Sequence, residues 1–212
     1  MCSGRVDLEF IFRAFAKGQD GVFIGGCKLD ECNYTTHGNY DALGNTYIAK
    51  KIMKYIGLNP DRLRTEFMSG ADGNLLAEYT DDFSRQIKEF GPIGSSEKLD
   101  QDELKFNLEA ARKLIPYMRL VERERLRVPE KTKQAYTSFF ENSETSKLFD
   151  DIFADKFAIS QIMLLLKGKS LSTSDIAQTL RLNPSDVSRH MNTSSRQGLI
   201  KYDTNSNCYA LA

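Results

Sequence analysis

Residues 21–32 read Gly-Val-Phe-Ile-Gly-Gly-Cys-Lys-Leu-Asp-Glu-Cys, an apolar run that passes directly into a loop bounded by two cysteines. Valine, phenylalanine and isoleucine favour extended chain and the flanking glycines punctuate it, so Gly21 to Gly25 reads as a short buried strand. Upstream, Leu8, Ile11, Phe12 and Phe15 recur at helical spacing, and Gly18 closes that helix. Downstream, Tyr47, Ile48, Ile52, Met53 and Ile56 form a second amphipathic helix that stops at Gly57. Leu63 to Met68 is the next strand. The turn Ser-Gly-Ala-Asp-Gly follows, then a third helix with Leu75, Leu76, Tyr79, Phe83 and Ile87. Strictly alternating helices and strands, αβαβα over residues 1 to about 91, call for a parallel sheet with right-handed crossovers. Such sheets bind ligands beyond the carboxyl ends of their strands, where both the cysteine loop and the turn at 69–73 fall. The order opens on a helix, so an N-terminal strand is expected to be missing.

The chain has 212 residues, enough for one large domain or two modest ones. Lysine plus arginine and aspartate plus glutamate are 29 each, so no global field draws it to nucleic acid or an anionic membrane. No basic leader followed by an apolar core opens the sequence, and Ile162 to Leu166 is the longest apolar run, far short of the roughly 20 residues of a membrane helix. A cytoplasmic protein with no membrane partner is expected. Its four cysteines, Cys2, Cys27, Cys32 and Cys208, are then reduced thiols rather than disulfides.

Gly91 to Ser96 is the clearest boundary, a Gly/Pro/Ser stretch between two periodic segments. Beyond it, Leu104, Leu108, Ala111, Ile115 and Met118 form a narrow apolar stripe on a charged helix, read as a linker helix that docks on a neighbour. Pro116 should kink or open it. The last sixty residues give an apolar helix from Phe153 to Leu166, a helix after Ser172, and a third helix opened by Asn183-Pro184 and ended by Gly198. A hairpin of Leu199–Tyr202 and Cys208–Leu211 closes the chain. That order is a winged helix-turn-helix. The expected domains are 1–94, an α/β domain; 95–149, a helical linker; and 150–212, the winged helix.

Cysteines spaced C-x4-C can face one ion or cluster, and the spacing is half of one 2Fe-2S pattern, although zinc accepts similar geometry. Cys2, just ahead of the first helix, would stand beside the strand that carries Cys27, so three thiolates can converge at one sheet edge. His37, in a loop near the cysteines, reads more readily as an ordinary hydrogen-bonding residue than as a ligand. Gly25-Gly26 and the glycines of 70–73 form neither a dinucleotide fingerprint nor a P-loop, and no serine-histidine-aspartate set is present.

The segments MCSGRVD (1–7), FRAFAKGQDGVFIGGCKLDECNY (12–34), THGNYDAL (36–43) and LRTEFMSGADG (63–73), in that order, resemble the delta, or iron-sulfur, subunit of methyl-viologen-reducing hydrogenases. The C-terminal extension resembles that of the longer, heterodisulfide-reductase-associated members. The resemblance implies a non-catalytic electron-transfer subunit. Its 2Fe-2S cluster would relay electrons from a hydrogenase or formate dehydrogenase to the flavin subunit of a heterodisulfide reductase. Cys2 matches the cysteine of the family's CSGR motif, and Cys27 and Cys32 match its GGC-x4-C pair, which makes these three the expected cluster ligands. Two departures stand out. Family members usually begin with a further cysteine-bearing strand, so Met1 is expected to be an internal methionine and a fourth ligand to lie upstream, leaving the cluster incomplete in this chain. Lys28 and Asn33 stand where histidines are commoner, which should alter hydrogen bonding at the site.

The winged helix raises an alternative, a redox-sensing iron-sulfur transcription regulator. Ser185, Ser188, Arg189, Asn192, Ser195 and Arg196 are residue types that contact DNA. Residues 150–212 nevertheless hold seven lysines and arginines against six acids, so the segment is near neutral and DNA is not the expected partner.

Overall fold

The computed structural model describes residues 2–34 and 37–212. The expectation that Met1 is an internal methionine lies outside the described residues. The chain divides into two compact units, one ending at Ser146 and one beginning at Lys147.

In the first unit, helix α1 (Leu8–Ala16) starts where Asp7 accepts the Glu9 N–H at 2.9 Å. It buries Leu8, Ile11, Phe12 and Phe15, the stripe expected from the sequence, and Gly18 at φ +83° releases the chain. Strand β1 (Val22–Cys27) pairs in parallel with β2 (Leu63–Met68), in a register that sets Val22 opposite Leu63 and Cys27 opposite Met68. Both strands therefore end at one edge. β1 runs two residues further than the sequence suggested, so Cys27 is the last residue of the strand rather than part of the loop. The reason is steric. A Cβ on Gly26 would lie 2.8 Å from both a Phe67 ring carbon and Ser3 Oγ, and only glycine lets the strand continue there.

Helix α2 (Asn39–Tyr55) begins eight residues before Tyr47, the first residue of the expected helix. Its extra turns contain the weak helix formers Asn39, Gly44 and Asn45, but Asn39, Tyr40, Leu43 and Gly44 are buried, so packing overrides propensity. Helix α3 (Gly73–Phe90) spans the third expected helix and buries only Phe83. Leu75 and Leu76, read as part of its apolar face, are exposed.

Helix α4 (Gln101–Arg125) continues through Pro116 without a break. Leu104, Leu108, Ala111, Ile115 and Met118 are buried on both sides of the proline, and this packing holds the helix where one backbone hydrogen bond is lost. The neighbour on which it docks is α1, where Arg112 donates to Glu9 at 2.6 Å and Arg119 pairs with Asp7. Helix α5 (Lys133–Glu141) packs on α2, with Tyr47 stacked on Phe140 and Tyr40 beside Tyr136.

The Gly/Pro/Ser boundary is pinned by a residue that the sequence does not advertise. Arg62, completely buried, reaches the carbonyls of Asp20, Phe90, Gly91 and Pro92, the Ser96 hydroxyl, and both carboxylate oxygens of Glu97 at 2.6 and 3.2 Å.

Helix α6 (Ser143–Leu165) crosses into the second unit, starting ten residues before Phe153. There, α7 (Thr173–Leu180) opens on a capping box between Ser172 and Asp175, and α8 (Pro184–Arg196) opens on Asn183. β3 (Ile200–Asp203) and β4 (Cys208–Leu211) pair antiparallel, and a single bridge joins Leu171 to Tyr209. Ile162, Leu166, Ile176, Val187, Met191 and Ile200 form the core of a winged helix-turn-helix unit. No helix among the described residues is long and apolar enough to cross a membrane.

Candidate functional site

The three expected thiols come from three pieces of backbone. Cys2 precedes the 3-10 turn Ser3–Arg5 and caps it, its sulfur accepting the Gly4 N–H at 3.4 Å. Cys27 ends β1, and Cys32 lies in the loop between β1 and α2. Cys2 Sγ and Cys32 Sγ are 3.6 Å apart, and either thiol can donate to the other. Cys27 is exposed as a whole residue, and its Sγ lies 3.6 Å from the Asn39 amide Nδ2.

The surroundings treat the sulfurs unequally. Backbone N–H groups of Tyr34 and then Asn39, with help from the Cys2 and Cys27 thiols, hold Cys32 below the ordinary thiol range despite some burial. Partial burial of the Cys27 sulfur, followed by the neighbouring Cys32 and Cys2 thiols, pushes Cys27 up. Two glycines make the close approach possible. A Cβ on Gly38 would stand 2.3 Å from the Tyr34 carbonyl oxygen and 2.7 Å from Cys32 Sγ, and one on Gly4 would stand 2.3 Å from the Gly38 carbonyl oxygen.

His37 bonds Asp41 at 3.2 Å with its side chain largely in solvent, the ordinary role expected of it. Cys208 is on β4 in the other unit. Sequence reasoning missed Asn39, Gly38, Gly4 and Ser3. They sit in the CSGR and HGN segments, but residue type alone does not mark them. Ser3 Oγ is buried and has no partner among the described residues. It lines a cavity of about 410 Å³ with Cys2, Gly26, Cys27, Met68 and Leu76, beyond the carboxyl ends of β1 and β2. A larger cavity, about 510 Å³, is lined by charges of both signs, including Arg5, Arg123, Arg127 and Glu122, and contains no thiol.

These features can be weighed against a bound metal centre. Two thiolates on one tetrahedral ion with metal–sulfur bonds of about 2.3 Å lie about 3.8 Å apart, close to the 3.6 Å between Cys2 and Cys32. Among the described residues, no three Cys, His, Asp or Glu side chains form a ready-made site for one ion. A binuclear cluster makes a different demand, since it divides four thiolates between two irons and only pairs need that spacing. Sulfur ligands of such clusters also want N–H donors, and Gly4, Tyr34 and Asn39 supply them. An orphaned serine hydroxyl beside two of the thiols and glycines that leave no room for a Cβ are the other features of this edge.

Two stretches of the chain match known families. The family described as methyl-viologen-reducing hydrogenase, delta subunit, matches residues 1–91. The arsR family of bacterial regulatory proteins matches residues 160–202. The A-type component of the ferredoxin:CoB-CoM heterodisulfide reductase of Methanosarcina mazei is 45% identical over 98 residues, 46% of this chain and 12% of the relative. The iron-sulfur component of the F420-non-reducing hydrogenase of Archaeoglobus profundus is 43% identical over 92 residues, 43% of this chain and 66% of the relative. The corresponding vhc iron-sulfur component of Methanococcus voltae is 35% identical over 104 residues, 48% of this chain and 72% of the relative. The matched stretch thus spans about an eighth of the reductase relative, and about two thirds of the hydrogenase ones.

Proposed function

Because the chain belongs to the family of hydrogenase delta, or iron-sulfur, subunits, we propose that its first unit relays single electrons and does no bond chemistry of its own. The donor would be a hydrogenase or a formate dehydrogenase, and the acceptor a heterodisulfide-reductase-type flavoprotein. The observation that carries the reading is the 3.6 Å approach of Cys2 and Cys32, at the edge of the cavity that Cys2 and Cys27 both line. A 2Fe-2S cluster would supply a one-electron site there. Cys2, Cys27 and Cys32 would hold it; the Gly4, Tyr34 and Asn39 N–H groups would stabilise sulfur negative charge; Gly38 and Gly4 let the loop and the turn close around it. In this reading residues 1–94 are the iron-sulfur domain, 95–149 the helical linker and 150–212 a docking module.

The test is iron, acid-labile sulfide and the EPR spectrum of the reduced chain after anaerobic reconstitution. Retention of about two irons and two sulfides with a 2Fe-2S signal supports the relay. A folded chain that retains neither, both alone and when extended by the cysteine-bearing segment expected upstream, overturns it.

The arsR-type match at residues 160–202 favours a second reading, a redox-sensing regulator that binds DNA through α8. Against it, the Arg189 guanidinium on that helix is already engaged by both oxygens of Asp155, at 2.8 and 3.1 Å, and by Asp186. A regulator must bind duplex with an affinity that falls steeply as salt rises. No binding at low salt leaves the docking module.

A further inference from the structure

Asn39 is the first residue of α2 and is 1% exposed, an unusual burial for an amide at a helix start. Its Nδ2 donates to the Cys27 carbonyl at 2.9 Å and to the Lys28 carbonyl at 2.8 Å, and it lies 3.6 Å from Cys27 Sγ. The amide cannot be turned over, because its oxygen would then face two carbonyl oxygens. Two protons thus serve three acceptors, and all three belong to the segment that carries the chain out of β1. The Asn39 backbone N–H also helps to hold the Cys32 thiol low. One residue therefore bears on both cysteines of the C-x4-C loop.

We propose that Asn39 is the positioning residue of the thiol site: its amide fixes the Cys27–Lys28 exit from β1 and, by donating toward Cys27 Sγ, sets the one-electron potential of the centre bound there. The inference rests on the relay reading of the same site. The physical reason is the sign of the charge change. Reduction adds an electron to a group whose negative charge is spread over its sulfurs, and an N–H aimed at one of them favours the reduced form. Loss of the donor must therefore make reduction harder. A residue that only capped α2 or filled space would leave the potential where it is.

The experiment uses the full 212-residue chain, reconstituted anaerobically with iron and sulfide, as wild type and as Asn39→Ala. Redox titration by EPR should show the variant's reduction equilibrium shifted about tenfold against the reduced form, equivalent to about 59 mV for one electron. Wild-type protein grown with asparagine labelled with nitrogen-15 only in its side-chain amide should show a weak nitrogen coupling to the reduced centre, absent in the variant. Equal midpoint potentials overturn the proposal, and so does the absence of a coupling in the labelled wild type. If Asn39→Ala folds but keeps no iron, the coupling in the wild type decides alone. If the wild type keeps no iron or sulfide, both alone and when extended by the cysteine-bearing segment expected upstream, the relay reading falls and takes this proposal with it, an outcome distinct from the other two.

Discussion

Replacing Arg62 with leucine is expected to destabilise the first unit by about 3–5 kcal/mol, the loss found when one member of a buried ion pair is removed. The guanidinium has five N–H donors, and every one of its nitrogens has an acceptor here, all on the segments around Asp20 and Phe90 to Glu97. Leucine removes them together. Glu97, with its side chain 6% exposed, keeps only the Asn59 N–H at 3.1 Å and the Ser96 hydroxyl at 2.9 Å. That stranded carboxylate accounts for the expected loss; the orphaned carbonyls add to it wherever water does not enter. Arg62→Lys keeps the charge but loses the planar fork, so it should recover only part of the loss. Arg62→Leu combined with Glu97→Leu should cost less than Arg62→Leu alone, because no charge is then left buried.

The pH dependence gives this prediction a second edge. Although burial pushes Glu97 up, hydrogen bonds from Arg62, Ser96 and Asn59 hold its carboxyl below the usual range. A lowered folded pKa contributes stability that is present above the unfolded value, about 4.3, and is lost as pH falls through the folded one. In Arg62→Leu the largest of the lowering hydrogen bonds is gone and burial outweighs those from Ser96 and Asn59 that remain, so the pKa should rise above the unfolded value and the variant's deficit should narrow between about pH 7 and pH 4. The chain has no tryptophan. Peptide-resolved hydrogen exchange across a urea series is therefore the assay, with peptides from residues 20–27 and 59–97 read against an internal control from 172–200. A deficit below about 1 kcal/mol, the scale of a surface pair, or one that does not change with pH, would refute the reasoning.

Cys2→Ala, Cys27→Ala and Cys32→Ala should each lose most of the iron retained by the reconstituted chain, and Cys208→Ala should lose none, as read by iron and sulfide analysis. Gly38→Ala should displace Cys32, lower the melting temperature and reduce iron retention, since its Cβ would meet Tyr34 O and Cys32 Sγ; Gly73→Ala, with nothing within 4 Å, should not. In the second unit, burial holds buried His190 below its ordinary pKa, more strongly than the nearby Asp155 raises it. The folded state then binds fewer protons than the unfolded one, so the unit should lose stability as pH falls from about 7 to 5, and His190→Gln should flatten that slope in a denaturant series.

What the sequence disclosed depended on whether a feature was local. β2 ends where its β-forming run ends, at Leu63 and Met68. The buried stripe of α1 follows the 3.6-residue period, and the caps at Ser172 and Asn183 use the residue types that helix starts prefer. The first two turns of α2 were hidden because Asn39, Gly44 and Asn45 argue against a helix until Tyr136 packs over Gly44, with 3.4 Å between its ring and the position of a Cβ. Arg62 was hidden because its partner is 35 residues away and nothing in the spacing of an arginine and a glutamate says that both are buried. At the site, thiols announce themselves by residue type. Their N–H donors do not, since two of the three are backbone groups and the third is an asparagine in a loop-like stretch.

That difference bears on Lys28, which departs from the family pattern beside Cys27. A lysine next to a thiolate would be expected to raise the potential through its charge. In the structure, however, its ammonium is paired with Glu31 at 3.1 Å, and the two side chains are 61% and 49% exposed. An exposed pair three residues apart contributes little, and salt screens what field remains. What Lys28 gives the site is its main-chain carbonyl, held by Asn39 at 2.8 Å, and any side chain at this position can offer the same group. Lys28→His should therefore move the reduction equilibrium less than threefold at physiological salt, about 30 mV or less for one electron, with the small shift fading further as salt rises. Asn39→Ala should move it about tenfold at either salt. A salt-dependent shift in Lys28→His as large as that of Asn39→Ala would mean that the side-chain charge, and not the fixed N–H groups, sets the electrostatics of the thiol site.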